Sequence, residues 1–230
     1  MAIEEPAFTI VETDHEIEIR HYAPMIVAEA TLEGDLQTAS NAGFRVIADY
    51  IFGNNHAAHD ADRAMSQKIA MTAPVTVMPA DDSMHREMTA PVTLAAQGGP
   101  AQGGPAHGDP GWSMTAAKRW RVHFVLPQRY AMSVLPRPNN EAVTVREVPA
   151  TRYAVVKFSG LAGAAKLQKH TARLFGWLKE KNYLAIGSPQ LARYDPPWTL
   201  PFFRRNEVMI EIDSALKGRR TEPLQFSLRT

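Results

Sequence analysis

Eight histidines are the side chains of this 230-residue chain most open to chemistry: His15, His21, His56, His59, His85, His107, His123 and His170. An imidazole can ligate a metal, move a proton near neutral pH, or sit hydrogen-bonded in a core. Three of them, His21, His123 and His170, fall in patterned segments with apolar neighbours. In the run EIEIRHY, alternation puts His21 on the same side as Ile17 and Ile19. His170 follows Leu167 by three residues and precedes Thr171, at the margin of a helical stripe. Such positions can hold the neutral imidazole that a metal needs in an apolar cleft; the plainer role is a satisfied core or edge histidine. His56, His59 and Asp60 cluster in NNHAAHDADRAMSQ, a stretch without apolar period. It reads as a loop, with no helix to hold the three on one face.

Other chemistries are excluded or unsupported. The chain has no cysteine, which removes disulfides, thiolate metal sites and thiol nucleophiles. It shows no Gly-x-Ser-x-Gly elbow, phosphate-cradling loop, dinucleotide fingerprint or His-Glu-x-x-His pair. Its carboxylates are scattered, so pattern assigns no acid–base pair. Enzymatic activity is therefore the less favoured expectation, though missing motifs do not exclude it. A net charge of +1 gives no global field for nucleic acid or anionic lipid. The run Lys217-Gly218-Arg219-Arg220 reads as a solvated tail.

The elements that must position these residues begin between Glu16 and Gly53. Glu16 to Arg20 alternates as a half-buried strand, and Tyr22-Ala23-Pro24 interrupts it because proline cannot donate to a ladder. Met25 to Leu32 is a second extended run, ended by Gly34, with Asp35 or Thr38 as helix cap. Phe44, Ile47, Ala48 and Ile51 then recur at helical spacing, and Gly53 closes the helix. Val148 to Asn182 echoes this unit: Pro149, Gly160 and Leu178 are rough counterparts of Pro24, Gly34 and Ile51. A duplication of this kind predicts two similar halves about a pseudo-two-fold axis.

Between the halves, MTAPVT occurs twice, at Met71 and again at Met88. Each copy reads as a bend followed by a β-branched strand, the two forming a hairpin around Asp81-Asp82-Ser83. Structural edge-strand material is the favoured meaning; the alternative has Met71 and Met88 facing a pocket. Residues 95–111 are glycine- and proline-rich and read as a mobile loop inside one domain spanning 1–230, with a loose tail from about 214. Eight to ten strands against two helices give an α+β fold, an antiparallel barrel or strongly curled sheet with helices outside. The start, MAIEEPAFTI, lacks a signal-like apolar core, and no run of about 18 apolar residues could span a bilayer. A cytoplasmic protein without membrane insertion is expected.

The stretch YDPPWTLPFFRRNEV is the most distinctive, three prolines stiffening an aromatic crossing before paired arginines. With EIRHYAP, GFRVIADYIFG, KIAMTAPV, FVLP, PNN and VVKFSG in order, the chain resembles the SOUL haem-binding proteins over nearly its whole length. The doubled MTAPVT is similar to a bacterial branch. The resemblance implies a twisted antiparallel β-barrel of about 8–9 strands flanked by two α-helices, in two pseudo-symmetric halves, and reversible binding of haem or another tetrapyrrole as carrier, buffer or sensor. It makes His21 a candidate iron ligand. A porphyrin is an apolar disc with two carboxylates, so its site needs an apolar groove and a rim cation. Phe44, Ile47, Ala48 and Ile51 are the expected groove wall, Arg45 the rim cation and His170 a further contact. Alternatives left open are a haem-dependent oxygenase or peroxidase and a small-ligand sensor that does not use haem. Protein partners are not indicated.

Overall fold

The computed structural model describes residues 3–58, 66–80, 117–196 and 198–213. The second MTAPVT copy, the glycine/proline stretch, the tail from 214, His59, Asp60, His85 and His107 lie outside them. In chain order the elements are β1 (Phe8–Asp14), β2 (Ile17–Tyr22), β3 (Met25–Glu33), α1 (Leu36–Ile51), β4 (Asn55–His56), β5 (Val75–Pro79) and β6 (Arg119–Val125). They continue with β7 (Arg137–Pro138), β8 (Val143–Val148), β9 (Thr151–Ser159), α2 (Ala164–Glu180), β10 (Gln190–Arg193), a 3-10 turn (Pro201–Phe203) and β11 (Arg205–Glu211).

Nine of the described strands form one antiparallel sheet, curled into an open half-barrel, in the order β1-β2-β9-β11-β10-β5-β6-β3-β8. That order is a palindrome of the two halves. β5 pairs β10 at the centre; β6 matches β11, β3 matches β9, and β8 matches β2. The first strand of each ββα unit pairs with the second strand of the other, β2 with β9 and β8 with β3. Pro24 and Pro149 stand in the breaks between those strands, and Gly34 and Gly160 leave them at φ +121° and +94°, a region that glycine enters without Cβ strain. The expected duplication is therefore an exchange of strands between halves.

Local chemistry sets the helices. Asp35 caps α1: its Oδ1 accepts from the amides of Gln37 and Thr38 at 2.9 and 2.8 Å. A cap of this kind contributes about 1 kcal/mol. Trp120, fully buried in β6, donates its indole N–H to Gly34 O at 3.0 Å and pins the entry to α1. The helix then buries Ala39, Gly43, Ile47, Tyr50 and Ile51 against β3 and β6, while α2 buries Leu167, Thr171, Leu174 and Leu178 against β9 and β11. Each large apolar side chain removed from water here contributes roughly 1.5–3 kcal/mol. Among the described residues no helix is long and apolar enough to cross a membrane. Between α2 and β10 the chain forms a single isolated bridge, Ala185 with Ile212.

One glycine in each helix differs in its surroundings: Gly43 of α1 is packed against the sheet and Gly176 of α2 is exposed. A Cβ on Gly43 would lie 2.5 Å from Val122 Cγ2, whereas nothing lies within 4 Å of one on Gly176 in α2. Gly43→Ala should destabilise, because overpacking costs about 1–3 kcal/mol and exceeds the ~0.5–1 kcal/mol helix gain. Gly176→Ala should stabilise by about 0.5–1 kcal/mol. Thermal melts of both variants measure this; shifts of the same sign would contradict the packing.

Candidate functional site

Strand alternation gives the sheet two faces. Ile17, Ile19, Ala154, Val156, Val208 and Ile210 point to the helices and join the main core. Their alternates, Arg20, Tyr22, Tyr153, Glu207 and Met209, point into the curl. The inner face encloses a hollow of about 350 Å³ that draws on strands from both halves. Its apolar wall is Met25, Met78, Met209, Val27, Tyr22 and Tyr153, the two tyrosine rings meeting edge to face at 5.6 Å. Polar groups enter from three sides: Arg121, His123 and Arg146 from β6 and β8, Gln190 from β10, and Glu211 from β11.

Two charged clusters frame the hollow. On one side Glu29 accepts from Arg146 Nε at 2.7 Å, and His123, directly across the β3–β6 ladder, brings Nε2 to 3.0 Å from the same carboxylate. That imidazole contact is close but off-axis for a hydrogen bond. Burial would raise the Glu29 carboxyl, yet His123 and Arg146 outweigh it and hold the group at about 2. Burial pushes His123 below its usual value, with Glu29 opposing, so its neutral form is favoured. Tyr153 is pushed up to about 12, first by burial and then by the charge of Glu211.

On the other side Arg20 reaches across β9 to Glu207, Nη1 to Oε2 at 2.8 Å and Nη2 to Oε1 at 3.1 Å. Both residues are fully enclosed, at 1% and 0% exposure. Tyr22 Oη accepts from Arg20 at 3.0 Å, Glu18 accepts from its Nε at 2.7 Å, and Tyr194 Oη donates to Glu207 at 2.7 Å. Burial opposes the Arg20 charge, but Glu207 more than compensates and raises its pKa.

The predicted site residues lie elsewhere. His21 does share a sheet side with Ile17 and Ile19, but it is exposed beyond the cover of the helices. Ile47, Ala48 and Ile51 were expected to wall a groove; at 0%, 6% and 1% exposure they are packed into the protein's own core and leave no surface for a ligand. Phe44 remains 38% exposed, its ring centroid 5.4 Å from that of Phe124, and Arg45 is exposed beside it. His170 stacks on Phe158 at 4.4 Å with Nδ1 buried and without a hydrogen-bond partner. None of these seven lines the hollow. His56 contacts Asn139 at 2.8 Å through Nδ1. His123, the histidine that lines the hollow, was among the three singled out in the sequence for their apolar neighbours. Arg146, Glu29, Tyr153 and Met209 gave no sign beyond their own alternation.

Both clusters make predictions. Arg20→Ala leaves Glu207 buried without its partner and should cost about 3–5 kcal/mol in urea denaturation, whereas Arg20→Met combined with Glu207→Met should recover most of it. A double variant no better than the single would contradict this. His123 and Glu29 both bind protons more readily in the unfolded chain, so their contributions shrink as pH falls. For His123 the loss starts below its unfolded value of 6.5; for Glu29 it runs from 4.5 down to about 2. Glu29→Gln should flatten the lower part of a Tm-against-pH curve, and an unaltered acid limb would count against it.

Comparison with known proteins places this geometry. The EcmrR C-terminal domain superposes with a TM-score of 0.56 at 11% identity, over 86% of this chain and 96% of that one. A structure described as a hydrolase from Listeria innocua gives 0.51 at 10% identity, over 88% and 94%. Identities this low carry the fold alone. No curated protein matches the chain. Residues 3–211 match the family described as SOUL heme-binding protein, nearly the whole of the described fold, and the chain belongs to that family.

Proposed function

We propose that the protein reversibly binds haem or a related tetrapyrrole, seated in the hollow inside the half-barrel. The observation carrying this is convergence: a methionine- and tyrosine-lined cavity, a desolvated imidazole on His123, and the cations Arg121 and Arg146 at one place. Family membership supports the ligand class. The residues suit the group in kind. Apolar walls accept a flat ring, arginines pair with carboxylates, and a neutral imidazole is a ligand for iron. Bound haem would supply a redox-active, coordinating iron. What this chain contributes is the greasy wall, the imidazole of His123, and a carboxylate, Glu29, that holds the ring of His123 in place.

The volume favours one second reading. About 350 Å³ lies near the lower bound for ligand pockets, roughly 300–1,000 Å³. A porphyrin would enter edge-first, with the remainder emerging at the open side of the curl, whereas a smaller amphipathic molecule would fill the space. Native mass spectrometry of the purified chain distinguishes these, since a retained smaller compound favours the sensor reading.

Titration of the protein with haemin should give a saturable Soret change at micromolar protein. Met209→Arg, which fills the cavity, should abolish it, and His123→Ala should weaken it about tenfold, or ~1.4 kcal/mol. His21→Ala and Phe44→Asp should leave it unchanged. The opposite pattern would move the ligand to the helix side, and no saturable change in the wild type would overturn the reading.

A further inference from the structure

We propose that the loop between β10 and β11 docks the protein onto an anionic bilayer surface. The four most exposed large apolar side chains among the described residues are Trp198 (82%), Phe203 (69%), Phe202 (64%) and Leu161 (60%). All four stand at one end of the sheet, joined by Leu200 at 56%. Gly160 N donates to Arg204 O at 3.2 Å and Asn206 Nδ2 donates to Gly160 O at 2.8 Å, which ties the turn carrying Leu161 to the aromatic loop. Scattered apolar residues on a surface need no account, but a contiguous cluster of this kind marks a contact site.

The loop holds these side chains outward. Thr199 N donates to Pro196 O at 3.0 Å, Phe203 N to Leu200 O at 3.0 Å, and Arg204 Nε to Thr199 O at 2.7 Å. Asp195 accepts from the Arg205 amide at 2.6 Å. The ridge is therefore preorganised and convex. Tryptophan with phenylalanine and leucine on a projecting tip suits the boundary between headgroups and acyl chains.

Charge selects the kind of surface. The segments 157–166 and 193–205 carry Lys157, Lys166, Arg193, Arg204 and Arg205 against a single carboxylate, Asp195. Glu18 answers Lys157 and Glu5 answers Arg205. Lys166 and Arg193 have neutral partners, Ser159 O and Gln37 Oε1. Burial, then the neighbouring charge of Arg204, pushes the Arg193 guanidinium below its usual value. The net charge of +1 gives no long-range pull, so attraction is local and acts within a Debye length. Thr151, one of the residues lining the hollow, stands at the far end of β9 from Ser159 beside the ridge, roughly 26 Å along the strand.

The test is co-flotation of the full chain with phosphatidylcholine vesicles, with and without about one-third phosphatidylglycerol. Binding is expected to the anionic vesicles, to weaken on raising salt from about 0.05 to 0.5 M, and to fall on the order of tenfold in the triple variant Trp198→Ser, Phe202→Ser, Phe203→Ser. Its melt and haemin titration should match the wild type. In Trp198→Phe, quenching of tryptophan fluorescence by spin-labelled lipid should drop sharply. Three results overturn the proposal: no flotation of the wild type, undiminished flotation of the triple variant, or a wild-type dimer that the triple variant converts to monomer, which would assign the ridge to a second copy.

Discussion

The pair Arg20–Glu207 is the constraint on which the inner face depends. Two charges removed from water cost several kcal/mol each, and only close, multiply hydrogen-bonded geometry offsets this. The bidentate contact, the two tyrosine hydroxyls and Glu18 supply that geometry, and they come from β2, β11 and the turn after β10. Arg20 and Glu207 are separated by β9, so they meet only if the sheet is curled enough for side chains to close over the intervening strand. The interaction therefore rewards one curvature, and the hollow beside Tyr22 exists at that curvature. Hydrophobic residues at the same positions would tolerate a range of curls.

Much of the architecture was legible because it rests on local rules. Pro24 ends one strand, Gly34 turns out of the next, Asp35 caps α1 and Ile47 and Ile51 recur at helical spacing; each of these is a short-range effect that survives without knowledge of neighbours. The duplication was legible for the same reason. What could not be read was the fate of each face. Arg20, Tyr22, His123 and Arg146 occupy the polar positions of alternating strands, which ordinarily face water. In a half-barrel that alternate set turns inward and is buried. The apolar set, including the α1 stripe, is consumed by sheet–helix packing. A stripe that must be buried says nothing about whether protein or ligand buries it, and here protein does. His21 shows the converse: alternation assigns its side correctly, but the helices end before they reach it.

The pseudo-symmetry explains why a polar hollow can persist in so small a fold. With the axis between β5 and β10, the two helices take equivalent places outside, and the inner face receives corresponding strands from each half. The side chains there do not obey the symmetry. One cluster gathers Glu29 and His123 with Arg146 from the exchanged β8; the other gathers Glu207 and Tyr194 with Arg20 from the exchanged β2. The second cluster is fully enclosed and satisfied, so it can act as scaffold. The first borders the cavity, holds an imidazole kept neutral by burial, and retains an imperfectly aligned contact. The two clusters thus differ in kind: one is enclosed and satisfied, and the other borders the cavity.

The same division holds for apolar surface. Burial of the core leaves little reason for Trp198, Phe202 and Phe203 to stay large, since none contributes to the packed interior and smaller polar residues would satisfy the loop's backbone bonds equally well. Retaining them exposes apolar area to water at roughly 25 cal/mol per Å² with no gain in folding. A rigid turn that fixes such side chains outward lowers the entropy lost when something covers them, which is how a preorganised contact surface gains affinity.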